Sequence, residues 1–197
     1  STHPHVTTDK VTGKEILYFV SNRADGKGGL DIWYSLIDTK FGYSQPINIS
    51  EINTFDDEIT PFYNNSSDFL FFSSNGRIGL GGFDVFKAGR INDTFGGVVS
   101  VGVPINSSYH DIYYSENREG NLAFLSSNRE GSYYLDSYYE SCCYDIYKME
   151  IKKIELDLNA LTFDKLTGRP LKNATVILLD QDTGQEIARF RNDDGND

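Results

Sequence analysis

One interval runs through most of this chain. Ile16-Leu17-Tyr18-Phe19-Val20-Ser21-Asn22-Arg23 recurs as Phe69-Leu70-Phe71-Phe72-Ser73-Ser74-Asn75-Gly76-Arg77, and again as Leu122-Ala123-Phe124-Leu125-Ser126-Ser127-Asn128-Arg129. The asparagines at 22, 75 and 128 are each 53 positions apart. Downstream, Gly28-Gly29-Leu30-Asp31-Ile32-Trp33 returns as Gly81-Gly82-Phe83-Asp84-Val85-Phe86, and Asp31 to Asp84 is again 53. Upstream, Glu58 and Asp111 keep the same interval, and one more step back reaches His5. Several landmarks sharing one period mark a stacked repeat, in which no single unit can bury its apolar surface alone.

Each repeat reads as a four-stranded meander. In the second, the expected strands are Ile59–Tyr63, Phe69–Ser74, Phe83–Ala88 and Val98–Val103, with Asn64–Asp68 as the first turn. A repeat of this length with four strands is the blade of a β-propeller. Phe69-Leu70-Phe71-Phe72 is apolar without alternation, which a strand buried on both faces requires. The 13 Tyr and 13 Phe fall in short runs broken by Gly, Asn, Asp and Ser, with no sustained helical period. The fold class is therefore all-β.

The third repeat departs from the pattern twice. Its third strand, Tyr144–Met149, begins late, because Asp145 stands eight positions beyond the place the period assigns. Its fourth strand is missing, since Met149 runs almost directly into Ile151-Lys152-Lys153-Ile154. Propellers commonly complete their last blade with a strand from the N-terminal side, so this repeat reads as the final one. A ring takes about four to eight blades, so earlier blades are expected upstream. The expected division is 1–152 as the last three blades of a larger propeller, and 153–197 as the start of a second domain. In that second part Ile154–Leu158 alternates, Ala174–Leu179 and Ile187–Phe190 read as strands, and Asp182-Thr183-Gly184-Gln185 is a hairpin turn. A β-sandwich needs about seven strands, so this reads as the beginning of one.

A net charge of −11 opposes phosphate backbones and anionic lipid surfaces, which excludes nucleic acid as the expected partner. No apolar run approaches the roughly 18 residues of a membrane helix, so this segment is not expected to insert in a membrane. The chain opens on Ser1 with no secretory leader, which reads as a processed or trimmed start.

The repeated Asn and Asp could be imagined as a ring of ligands. Short polar side chains beside Gly-rich turns more often cap backbone amides, and a catalytic group is rarely needed three times over. His5, Glu58 and Asp111 are the metal candidates: at one end of a central channel they could gather a divalent cation. The plainer reading is a polar channel lined by solvated carboxylates. The terminal Asp193–Asp197 run lacks complete calcium-loop spacing and reads as a solvated turn. Cys142 and Cys143 are adjacent, without zinc or redox spacing; they could form a vicinal disulfide or remain thiols in a structural role. No nucleophile elbow or phosphate-cradling loop occurs, so neither catalytic residues nor a cofactor is expected. Asn173-Ala174-Thr175 fits a glycosylation pattern that would be idle in a bacterium. Six of the 13 tyrosines lie between Glu130 and Tyr147. Tyr133, Tyr134, Tyr138 and Tyr139, in or beside the insertion, are the partner-binding candidates, because tyrosine gives contact area at low entropic cost. The competing reading has them fold back and seal the junction with the second domain.

The Ser-Asn-Arg and Gly-Gly-x-Asp-Ile-Trp runs, with Ser141-Cys142-Cys143-Tyr144-Asp145-Ile146-Tyr147, resemble blades of TolB-like (WD40-like, PD40) propellers in OmpA-family envelope proteins of Bacteroidetes. Phe163–Gly195 is similar to a carboxypeptidase-regulatory-like domain. The resemblance implies a non-enzymatic scaffold in the periplasm, associated with the outer membrane and binding other cell-envelope proteins. Some members of that family are components of type IX secretion. Peptidoglycan would be reached only through a further domain absent from this chain. The alternative function is a propeller that binds a small ligand or glycan.

Overall fold

The computed structural model describes residues 1–10, 12–38, 40, 42–91, 94–132, 144–152, 159–179 and 184–192. Its elements are all strands, in antiparallel sheets that do not close on themselves. Two compact units divide the chain, Ser1–Lys153 and Ile154–Asp197.

The first sheet runs β1 (Thr2–Thr8), β2 (Glu15–Ser21), β3 (Asp31–Asp38), then two short strands that both pair with β3, β4 (Gly42–Tyr43) and β5 (Ile47–Asn48). Pro46 separates those two, and a residue without an N–H cannot continue a ladder. The second sheet is an unbroken meander of β6 (Glu58–Asn64), β7 (Phe69–Ser74), β8 (Asp84–Ile91) and β9 (Thr94–Ser100). The third holds β10 (Asp111–Glu116), β11 (Leu122–Ser127) and β12 (Asp145–Glu150), with no fourth strand among the described residues.

Register carries the repeat into three dimensions. Ser21 pairs with Asp31, Ser74 with Asp84 and Ser127 with Asp145. The eight extra residues of the third repeat therefore lie wholly in the β11–β12 connection. The strands differ from expectation in three places: the first sheet splits its last strand in two, β8 runs three residues past the expected Ala88, and β9 covers Thr94–Ser100 rather than Val98–Val103. Gly96-Gly97 reads as a loop in the sequence, yet Gly96 pairs with Gly89 next to a register shift, where residues without side chains let the strand bend and continue.

The sheets of this unit pack face to face, and β7 shows how. Leu70 and Phe72, with Phe86 and Ala88, point toward Ile16, Tyr18, Val20 and Ile32 of the first sheet. Phe71 and Val85 point the other way, against Tyr114, Ala123 and Leu125 of the third. Successive side chains of one strand thus enter two different cores, which explains the unbroken apolar run. Burying each large apolar side chain contributes about 1.5–3 kcal/mol.

In the second unit β13 (Thr175–Leu179) pairs with β14 (Glu186–Arg191), and Phe163 bridges Pro170 across a turn. Asp164 Oδ1 accepts the Thr167 amide and hydroxyl, each at 2.7 Å, which holds its carboxyl below the usual range. Gly168 follows with φ +64°, a left-handed position that suits glycine.

Candidate functional site

Strand ends Ser21, Ser74 and Ser127 and strand starts Asp31, Glu58, Asp84, Asp111 and Asp145 meet at one rim of the first unit. Here the polar residues of the repeat turn inward and hold backbone. Asp84 Oδ2 accepts the Leu80 and Gly81 amides at 2.8 and 2.9 Å, and Asp31 accepts those of Lys27 and Gly28. Asn75 Oδ1 accepts the Asp57 amide and Asn128 Oδ1 the His110 amide, each at 2.9 Å. The reading of these Asn and Asp residues as loop caps holds for these four.

A strap links each sheet to the next through the same bonds. Gly29 donates to the Asp56 carbonyl and Gly82 to that of Tyr109, both at 3.1 Å. Leu30 N–H reaches Asp57 Oδ1 at 2.7 Å, and Phe83 N–H reaches His110 Nδ1 at 3.0 Å. Two further pairs belong to the strap, and the 53-residue period contains them, although the sequence reading passed over them. Buried Asn53 accepts from and donates to the backbone of Ile32, at 2.9 Å each way, as a strand would. Asn106 does the same to Val85, at 2.7 and 2.9 Å. Thr54 gives its amide and hydroxyl to Glu58, and Ser107 gives both to Asp111.

Stacked arginines complete the rim. Arg23 lies 4.8 Å from the Trp33 ring centroid, Arg77 5.9 Å from Phe86 and Arg129 5.0 Å from Tyr147. Arg129 also pairs with the fully buried Asp111 and donates to the Pro104 and Ile105 carbonyls at 3.0 and 2.6 Å.

The three metal candidates are not brought together. Among the described residues no group of three or more His, Cys, Asp or Glu could hold a metal ion. Counting by 53 sets His5 beside Glu58 and Asp111, and the register corrects this. Tyr18 pairs with His5, 13 positions earlier, whereas its repeat mates Phe71 and Phe124 pair with Phe62 and Ser115, 9 positions earlier. His5 thus corresponds to Phe62, against whose ring it packs at 5.0 Å, and its Nε2 lies 3.2 Å from the Tyr63 carbonyl. Tyr133, Tyr134, Tyr138, Tyr139, Cys142 and Cys143 lie outside the described residues.

Glu58 is fully buried, its Oε1 accepting the Ser74 and Thr54 hydroxyls at 2.6 and 2.7 Å. Burial nonetheless pushes its carboxyl above the usual range, outweighing those bonds. The folded state therefore holds this proton more tightly than the unfolded chain does. The group's contribution is whole below the ordinary carboxylate pKa, about 4.3, and is lost as pH rises through the folded value. Melting temperatures measured across that window should fall more steeply with pH in the wild type than in Glu58→Gln. Parallel slopes would refute this.

Beside exposed polar side chains such as Asp25, Lys27, Asp56 and Asn75, this rim also turns several large apolar side chains to solvent. Ile78 is 99% exposed and Phe55 84%, and Leu80, Val103, Tyr109 and Tyr144 are exposed as well. Gly28 backs directly onto Phe55, and Gly81 onto Tyr109. Tyr144 stands 6.5 Å from the His110 ring. The arrangement is a rigid frame that presents apolar loop tips. No protein-family model matches the chain, and no curated protein matches it.

Proposed function

We propose that this chain is a non-enzymatic protein-interaction module, built from blades of a β-propeller and the beginning of a β-sandwich, that docks cell-envelope partners through its apolar rim. The observation that carries the reading is the inversion at that rim: Asp31, Asp84, His110 and Asp111 hold backbone or strap, while Phe55, Ile78 and Leu80 meet solvent. Monomeric proteins seldom expose such side chains together unless a partner covers them. Face-to-face meanders on a 53-residue period support the propeller, as does a last sheet with three strands among the described residues. The periplasmic, outer-membrane-associated setting and a place in type IX secretion rest on the family resemblance.

Changing Phe55, Ile78 and Leu80 together to Ser tests the reading. Exposed substitutions move stability by about 0.5 kcal/mol each or less, so the fold should persist. Crosslinking in isolated cell envelopes should then lose a discrete adduct at least tenfold. An adduct of unchanged yield sinks the docking rim.

A further inference from the structure

Features that recur in every repeat serve the fold, so chemistry that breaks the repeat marks a separate task. The first hairpin is longer by four residues than its two counterparts, as the Tyr18–His5 pairing shows against Phe71–Phe62 and Phe124–Ser115. Its turn is tied internally: the Asp9 amide donates to the Lys14 carbonyl at 2.8 Å, and Asp9 Oδ1 accepts the Thr12 amide and hydroxyl at 2.6 and 2.8 Å. Asp9 Oδ2 pairs with Arg90 of β8, in the neighbouring sheet. The bonds from Thr12, reinforced by Arg90, keep the Asp9 carboxyl ionised well below the usual range.

This turn closes over a cavity of about 280 Å³. Ile16, Tyr18, Tyr34 and Leu36 of the first sheet line it with Arg90 and Phe95 of the second, and Asp9, Thr12 and Lys14 of the turn complete the lining. Nothing in the repeat demands it. Arg90 donates its amide to the Asp68 carbonyl, and the residue making the same bond one repeat later, to Asn121, is Ile151. The charges of the lining are not evenly matched. Arg90 is matched by Asp9, whereas the Lys14 ammonium has no carboxylate partner among the described residues. Tyr18 is 2% exposed and lines the cavity beside Tyr34 and Arg90. A hydroxyl that lines a cavity can donate to a guest or to water.

We propose that this cavity binds a small carboxylate with an apolar body, of roughly amino-acid size. Tyr34, Phe95, Ile16 and Leu36 enclose the body, while Lys14 and the Tyr18 hydroxyl take the carboxylate. With Arg90 neutralised by Asp9, Lys14 leaves the lining one positive charge in excess, in a molecule whose net charge is −11. The site lies away from the apolar rim, and the proposal does not depend on docking there.

Titration calorimetry on the intact chain near neutral pH decides it, with phenylacetate and hexanoate as probes. Phenylacetamide, benzylamine and glucose stand for a neutral, a cationic and a sugar guest. Both carboxylates should saturate a single site, with phenylacetamide weaker by about tenfold or more, the usual worth of a charged hydrogen bond. Lys14→Gln, at an exposed position, should weaken phenylacetate about tenfold with melting unchanged, and Tyr18→Phe should weaken it by a smaller factor. Lys10→Gln, whose ammonium bonds Asp68 outside the cavity, should leave binding unaltered. The proposal falls if no carboxylate saturates, if benzylamine or glucose binds more tightly, or if Lys14→Gln binds phenylacetate as the wild type does.

Discussion

Replacing Asp111 with Ala is expected to lower stability by about 3 kcal/mol, toward the lower end of what breaking one side of a buried ion pair costs. Asp111 is fully buried, and its carboxylate receives Arg129 on one oxygen and the Ser107 amide and hydroxyl on the other. Without it the guanidinium is left with the Pro104 and Ile105 carbonyls and the Tyr147 ring, so the charge is not abandoned entirely. That residual support is why the low end is expected. In a unit of this size about 3 kcal/mol corresponds to a fall of roughly 6–12 °C in melting temperature. A double-mutant cycle with Arg129→Met separates the pair from the cavity left by truncation. Coupling above about 1 kcal/mol is expected for groups in contact, and additive losses would show that Ser107 alone matters.

The scaffold was largely legible because its polar residues obey the same period as its strands. Asn75, Asn128, Asp31 and Asp84 stand out by spacing, and the structure gives each a backbone amide to cap. Asn53 and Asn106 keep the interval too, but they lie outside the glycine and aromatic landmarks that drew the eye. The error at His5 has a different origin. A count along the chain assumes hairpins of equal length, and only pairing reveals that the first is longer. That same lengthening brings Asp9 and Lys14 to the cavity lined by Ile16, Tyr18 and Phe95. The exposed rim was illegible for another reason: Phe55 and Ile78 look in sequence like any core residue, and only the structure places them on loops that face solvent.

Gly81→Ala should be at least as damaging as the loss of Asp111. A methyl group on Gly81 would land on the Tyr109 carbonyl oxygen and within 2.6 Å of the Ser107 carbonyl oxygen, both of them backbone. Neither can rotate away, so the strap from Asn106 to Asp111 must shift as a whole. That shift would strain the Asn106–Val85 and Ser107–Asp111 bonds together. Removing a glycine also stiffens the unfolded chain, a gain of about 0.4–1 kcal/mol. Overpacking costs about 1–3 kcal/mol, or more where the neighbour is rigid, so the loss prevails, at about 3 kcal/mol or above. Gly82→Ala provides the internal control. Its methyl meets the His110 imidazole, a side chain that can turn aside at the expense of one bond to Phe83 N–H. Chemical denaturation of the two variants should therefore rank Gly81→Ala well below Gly82→Ala. Equal midpoints would mean that the strap yields easily, and that the rim it carries is not held rigid by close backbone contact.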